Sequence, residues 1–216
     1  MGSQALSEMA PGGISGRSPR LLLLHGSPRA GGNTDTLLAA LAEGAGEAGA
    51  RVEHLYARKL DVRGCTGCGG CAETGECVVR DDMDQVYAAV DEADALAVGA
   101  PVYFLGPPAQ FKAVIDRFQP RWARRYLLHR PLPPSRPGVF LSTAGALTPK
   151  VFTGPRHTMD ALFDILGVVS RPPLVYEGVD ERGAIASHPG ALEAARRTGR
   201  ELAESAVLHQ APAPSP

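Results

Sequence analysis

Four consecutive leucines, Leu21-Leu22-Leu23-Leu24, followed at once by His25-Gly26-Ser27-Pro28, constrain the fold of this chain more than any other stretch. The run is too short to span a membrane. An unbroken apolar run of this length suits a strand buried on both faces. Gly26-Ser27-Pro28 is a turn signal. Small and polar residues continue to Asn33-Thr34, after which Leu37, Leu38, Leu41 and Ala45 recur at helical spacing. The order is buried strand, small-residue loop, helix. Such a loop offers free backbone N–H groups and hydroxyls at a helix N-terminus, which suits a phosphate. No Gly-Lys-Ser/Thr closes it, so it is not a P-loop, and it lacks the dinucleotide fingerprint G-x-G-x-x-G. An ordinary strand-to-helix turn fits the same pattern.

The rest of the chain repeats this alternation. Strands are predicted over residues 51–56, 95–100, 138–142 and 168–176, the last interrupted by prolines and so nearer an edge. Helices are predicted over residues 34–49, from a cap at Asp82 to Glu92, after the Pro-rich loop 101–108, around Met159 to Leu166, and over 191–208. The pattern implies an α/β fold, a parallel sheet covered on both faces. At 216 residues the chain suits one domain, placed at 19–209, with a cysteine-rich insert at 57–81. Residues 1–18 read as a disordered leader without a signal-peptide core, and 210–216 as a loose tail. The net charge of −1 argues against a general nucleic-acid or membrane-surface binder, and no apolar run approaches membrane-spanning length.

Directly after the third strand comes Pro101-Val102-Tyr103-Phe104-Leu105-Gly106-Pro107-Pro108. Its glycine and prolines hold an irregular backbone, and its aromatics offer a flat apolar wall. A planar isoalloxazine needs both, although a loop whose aromatics are merely buried also fits. Gly26-Ser27-Pro28-Arg29 followed by Asn33-Thr34 resembles the FMN-phosphate loop of the flavodoxin-like NAD(P)H-dependent FMN reductases. The run from Pro101, with Phe111-Lys112 and Asp116-Arg117 beyond it, resembles the flavin-ring loop of the same family, in the same order.

That resemblance implies a flavodoxin-like, five-stranded parallel sheet in the order 2-1-3-4-5, with ligands at the carboxyl ends of the strands near the switch between strands one and three. It implies FMN as cofactor, NAD(P)H as reductant, and hydride transfer between them. It assigns the FMN phosphate to Ser27, Arg29, Asn33 and Thr34. It assigns the ring to Pro101, Val102, Tyr103, Phe104, Leu105 and Gly106, with Thr143, Ala144 and Gly145 by a shorter match. No catalytic side chain is implied, because the chemistry belongs to FMN.

The cysteines lie at positions 65, 68, 71 and 77. With no export signal, a disulfide framework is the less expected use. Consecutive C-x-x-C steps wrap a chain around one centre, and the intervening glycines permit that curvature. Thiolates so placed suit an iron–sulfur cluster or zinc, although structural zinc sites usually separate their pairs more widely. A redox disulfide and free thiols are further alternatives. The set resembles the cluster motif of iron–sulfur flavoproteins, a branch of the same family. This implies a candidate [4Fe–4S] cluster on Cys65, Cys68, Cys71 and Cys77, in a cytoplasmic homodimer or homotetramer. Electrons would then pass from FMN to a small-molecule or protein acceptor, directly or through the cluster. The other functional classes are a non-enzymatic electron carrier and an FMN-dependent tailoring enzyme for one metabolite.

Arg121, Arg124, Arg125, Arg130 and Arg136 cluster with Trp122 and Tyr126 in a Pro-rich insert at 120–137. A flap over the flavin that meets nicotinamide-nucleotide phosphates is one reading. A solvated or subunit-contact face is the favoured one. His25, His157 and His188 have no partner placed by spacing, so no catalytic histidine is assigned.

Overall fold

Alternate leucines of β1 (Arg20–His25) part to opposite sides of the sheet, as a doubly buried strand requires. Leu21 and Leu23 join one core with Leu37, Leu38 and Leu41, while Leu22 and Leu24 join another with Val86, Phe111, Leu162 and Phe163. The structure, a computed structural model, describes residues 17–210. Apart from residues 17, 18 and 210, the expected leader and tail lie outside the described residues.

The elements that follow are α1 (Asn33–Glu47), β2 (Arg51–Tyr56), the short α2 (Cys71–Thr74), α3 (Met83–Glu92), β3 (Ala95–Gly99), α4 (Ala109–Asp116) and α5 (Gln119–Tyr126). After these come β4 (Arg136–Thr143), α6 (Thr153–Ile165), β5 (Val168–Ser170), β6 (Leu174–Tyr176) and α7 (Ala191–Gln210). The sheet runs β2-β1-β3-β4-β5, with β6 also on β4, and every pairing is parallel. This is the expected flavodoxin-like order, with its switch point between β1 and β3. Helices α1 and α7 cover one face, and α3, α4 and α6 contribute to the core on the other. Among the described residues no helix is long and apolar enough to cross a membrane.

Four local expectations are corrected. The fifth strand is two strands, because Pro172 and Pro173 have no N–H to continue the ladder. Its halves pair with opposite ends of β4, Val168 against Arg136 and Leu174 against Leu141. β4 begins two residues before the expected start, since Arg136 and Pro137 find partners in β5. The insert 120–137 contains a helix, α5, with Pro120 in its first turn, where a missing N–H costs nothing. Asp82 does not cap α3 with its side chain. Asp81 accepts from the Met83 amide at 3.0 Å, and Asp82 turns back to accept from the Asp61 amide at 2.8 Å.

The two helices on the β1 face cross backbone to backbone. A Cβ on Gly44 would stand 2.0 Å from the Arg196 carbonyl oxygen, and one on Gly199 would stand 2.0 Å from that of Leu41. Ion pairs flank the crossing, Arg196 to Glu43 at 2.8 Å and Arg200 to Glu47 at 3.0 Å.

Candidate functional site

The carboxyl ends of β1, β3 and β4 open into a cleft of about 60 Å³. The first loop lines it with Ser27, Arg29, Gly32, Asn33 and Thr34, the second with Pro101, Val102 and Tyr103, and the third with Thr143, Ala144 and Gly145. The three loops singled out in the sequence therefore meet. Phe104, Leu105 and Gly106 do not line the cleft.

Within the first loop, Ser27 Oγ accepts from the Arg29 amide at 3.1 Å. Gly32 precedes α1 and supplies no capping side chain, so first-turn amides of α1 are left for another acceptor. Thr34 is 1% exposed, and its Oγ1 has no hydrogen-bond partner among the described residues. A buried hydroxyl without a partner is uncommon in a protein interior. Asn33 has both polar ends engaged. Its Nδ2 donates to the Glu181 carbonyl at 2.8 Å, and its Oδ1 accepts from the Ile185 amide at 3.3 Å.

The second loop closes on a tight turn. The Tyr103 amide donates to the Gly106 carbonyl at 2.8 Å, and the Gly106 amide returns the bond at 2.9 Å. Phe104 (φ 48°) and Leu105 (φ 59°) between them are both left-handed. Such turns favour Asn or Gly, and each left-handed L-residue here costs about 1–2 kcal/mol. The Phe104 side chain is fully exposed. Strain concentrated beside a cleft is a common mark of functional sites.

Three residues of the site carried no signal in the sequence. Val179, Asp180 and Arg182 reach the cleft from a loop distant in the chain. The Arg182 guanidinium donates to the Ala30 carbonyl and, at 3.4 Å, to that of Gly31. These contacts and those of Asn33 latch the late loop onto the early one.

His25 was left without a partner by spacing; the sheet register supplies one. β1 and β2 pair Leu23 with His54 and His25 with Tyr56, which places the three rings on one face. His25 Nδ1 bonds Asp35 Oδ1 at 2.8 Å, and its Nε2 shares a hydrogen bond with His54 Nδ1 at 3.0 Å. Tyr56 stacks on His25 with centroids 4.1 Å apart, and Arg58 lies over Tyr56 while pairing with Asp35 at 3.1 Å. Asp35 also accepts from the Gly31 amide at 2.9 Å, and Arg58 donates to the Ser27 carbonyl at 3.3 Å. The network thus braces the first loop from behind. Burial by itself would push the Asp35 carboxyl up. The bonds from His25 and Gly31, with the charges of His25 and Arg58, hold it below the usual carboxylate range. Burial and then the charge of His25 pull the His54 imidazole down, against a smaller opposing pull from Asp35.

These directions fix a pH dependence. Below about pH 6.5 the unfolded chain takes up a proton at His54 that the folded protein refuses, so stability falls with pH. Below about pH 3.9 protonation of Asp35 in the unfolded chain adds a second loss. Thermal unfolding is expected at lower temperature at about pH 5.5 than at about pH 7.5. His54→Gln should flatten that limb and leave the more acidic one. An equally steep limb in the variant would assign the titration elsewhere.

The cysteines belong to a second cavity, about 400 Å³ in volume, which shares no lining residue with the cleft. All four line it, opposite Pro120, Trp122 and Ala123 of α5. Gly67 (φ 67°) and Gly69 (φ 77°) provide the left-handed steps that curl the chain between them. Cys65 and Cys68 are exposed, Cys71 and Cys77 half-buried, and none is in a disulfide. Burial raises the Cys71 thiol, and the neighbouring Cys65, Cys77 and Cys68 push the same way. Among the described residues, no group of three or more His, Cys, Asp or Glu is placed to hold a metal ion.

Arg117 closes the base of this loop. It follows α4, is 1% exposed, and makes a two-pronged pair with Asp81 at 2.6 and 3.2 Å. It also donates to the Arg63 carbonyl at 2.8 Å and to that of Val79 at 3.1 Å, tying both limbs of the excursion together. Burial would raise the Asp81 carboxyl. Arg117 and the amides of Met83 and Arg63 instead hold it below its ordinary value. The Arg121–Arg136 cluster does not cover the cleft. It lines a separate cavity beside Arg136, at the amino end of β4 and so away from the flavin-type loops.

The NADPH-dependent FMN reductase family model matches residues 19–172. An iron–sulfur flavoprotein of Archaeoglobus fulgidus is 43% identical over 95 residues, covering 44% of this chain and 43% of that protein. One from Methanosarcina thermophila is 39% identical over 94 residues, covering 44% of this chain and 49% of that protein. The matched segments thus span about half the length of these curated relatives, or less. An NAD(P)H:quinone oxidoreductase from Methanothermobacter marburgensis superposes with a TM-score of 0.64 at 21% identity, covering 86% of this chain and 99% of that one. At that identity the likeness is one of fold. The chain belongs to the NADPH-dependent FMN reductase family.

Proposed function

We propose that the chain is an FMN-dependent NAD(P)H oxidoreductase, a single FMN-binding domain over residues 19–209 with a cluster-bearing insert at 57–81. The observation that carries the reading is Thr34. Its buried Oγ1 lacks a partner among the described residues where α1 begins, in a cleft built by the loops the family uses for flavin. A phosphate there would satisfy it together with first-turn amides and Arg29. Ser27 and Asn33 shape the cradle, while Pro101, Val102 and Tyr103 with Thr143 to Gly145 bound the ring, and Phe104, Leu105 and Gly106 form the turn beside it. When bound, FMN supplies the hydride acceptor and a [4Fe–4S] cluster a one-electron store. The protein's part is to position both and to exclude side reactions.

Two features support the cluster on Cys65, Cys68, Cys71 and Cys77. The thiols line one cavity, and relatives that share the motif's branch carry the name iron–sulfur flavoprotein. Zinc needs its ligands drawn to one point, whereas four thiolates of a [4Fe–4S] cluster surround a volume. The proposal includes a cytoplasmic homodimer or homotetramer, in keeping with free cysteines and with the exposed Phe104, Leu105 and Trp122.

The test is an absorbance spectrum with iron, zinc and sulfide analysis on protein purified without oxygen. Flavin bands over a broad brown absorbance, with about four irons per chain, are expected. Flavin without metal would remove the cluster and keep the reductase. No flavin after incubation with FMN would overturn the reading. The cysteine cavity also favours a second reading, an electron carrier serving a partner protein. Sustained NAD(P)H oxidation with a quinone would exclude it.

A further inference from the structure

The arginine cluster is left unused by the flavin reading. A cavity of about 230 Å³ at the amino end of β4 is lined by Arg121, Arg124, Arg125, Arg130 and Arg136, with Asp91 as its sole lining acid. Asp91 pairs with Arg121, and Asp164, outside the lining, pairs with Arg125 at 2.6 Å. Glu76 stands 3.9 Å from Arg124. Arg130 and Arg136 have no carboxylate partner among the described residues.

Part of this arrangement is structural. Arg136 is 6% exposed and donates to the Val90, Ala93 and Leu166 carbonyls, which closes the ends of α3 and α6. Three features remain unexplained by that role. Arg136 Nε is buried without a partner among the described residues. The chain leaves α5 through His129, a left-handed residue (φ 50°), and this turn returns Arg130 beneath Arg124, whose carbonyl accepts from the Arg130 amide at 2.8 Å. Burial and then the charges of Arg121 and Arg130 make the Arg124 guanidinium easier to deprotonate than usual. A strained turn that adds one more like charge to a crowded group suits a site for an anion.

We propose that this cavity is a binding site for a diphosphate group, free or carried by a nucleotide, held chiefly by Arg124 and Arg130. Guanidinium forks match phosphate oxygens, and a cavity lined by five arginines and one acid suits a multiply charged anion. The site is independent of the flavin reading, since it shares no lining residue with the cleft. Its far wall is mechanically linked to the cysteine loop, because Arg124 Nε donates to the Gly75 carbonyl at 2.7 Å.

Arg130 is exposed and its side chain has no partner among the described residues, so Arg130→Ala leaves the fold intact. Calorimetric titration of inorganic pyrophosphate into the full chain is the test, with Arg130→Ala and Arg29→Ala alongside and ADP as a second ligand. Arg130→Ala should weaken pyrophosphate by about tenfold or more, while Arg29→Ala leaves it unchanged. ADP binding more tightly than pyrophosphate would assign a nucleotide, with Pro131 to Pro133 beneath its base; equal affinity would assign the diphosphate alone. No binding at about 0.15 M salt, or loss in Arg29→Ala instead of Arg130→Ala, would overturn the site.

Discussion

Thr34→Val is expected to weaken FMN binding by roughly ten- to a hundredfold while leaving the FMN-free protein as stable as before or about 1 kcal/mol more so. The two effects have opposite signs because the hydroxyl has no partner among the described residues. Removing an unpaired buried hydroxyl lifts a desolvation penalty, and Val matches Thr in shape and β-branching. A hydrogen bond to a charged phosphate is worth about 1.5–3 kcal/mol, which sets the loss of affinity. A purely structural threonine would lose stability on substitution and leave flavin affinity alone. Flavin fluorescence titration beside thermal unfolding of the FMN-free form separates the cases. Unchanged affinity would remove the phosphate from this cradle.

Asp81→Ala is expected to cost about 3–5 kcal/mol, a large share of the roughly 5–15 kcal/mol that holds a domain together. The reason is the partner left behind. Arg117 would keep its charge in a place that is 1% exposed, left with the Arg63 and Val79 carbonyls and the neighbouring Cys77. The limbs of the cysteine loop would also lose the carboxylate that accepts from the Arg63 and Met83 amides. Urea unfolding gives the energy, and thiol-reagent kinetics at the cysteines give the local consequence, which should be faster labelling. Asp81→Leu combined with Arg117→Met should recover much of the loss, because no buried charge is then stranded. A cost under about 1 kcal/mol would place the pair among ordinary surface bridges.

The alternation of strands and helices was legible because it depends on local pattern, whereas the sheet order and the meeting of three loops were implied by the family resemblance and not by periodicity. Leu21 to Leu24 alternate between two cores, and every strand ends in a loop of its own composition. The Pro172-Pro173 break was visible, but its outcome was not. Both fragments pair with β4, a choice made by the neighbouring strand. The bracing of the first loop was hidden for a similar reason. His25, Asp35, His54 and Arg58 meet only because β1 and β2 take a particular register. Arg182 and Asp180 reach the cleft from some 150 residues away, which no spacing rule encodes. Arg117 was noticed as part of a motif. Its work as a clamp depends on Asp81, 36 residues earlier, and on the path of a loop without regular structure.

The glycine-to-glycine crossing of α1 and α7 has a consequence for how this chain is made. The Leu21–Leu23 face of the sheet and the inner side of α1 share their cover with Leu202, Ala203 and Ala206. Gly44 therefore leaves the ribosome long before Gly199 does, by roughly 8–30 seconds at ordinary synthesis rates. Through that interval the first-made strand and helix present an apolar surface whose final partner does not yet exist. Completion of the last helix, and not closure of the flavin loops, is the event that seals the domain.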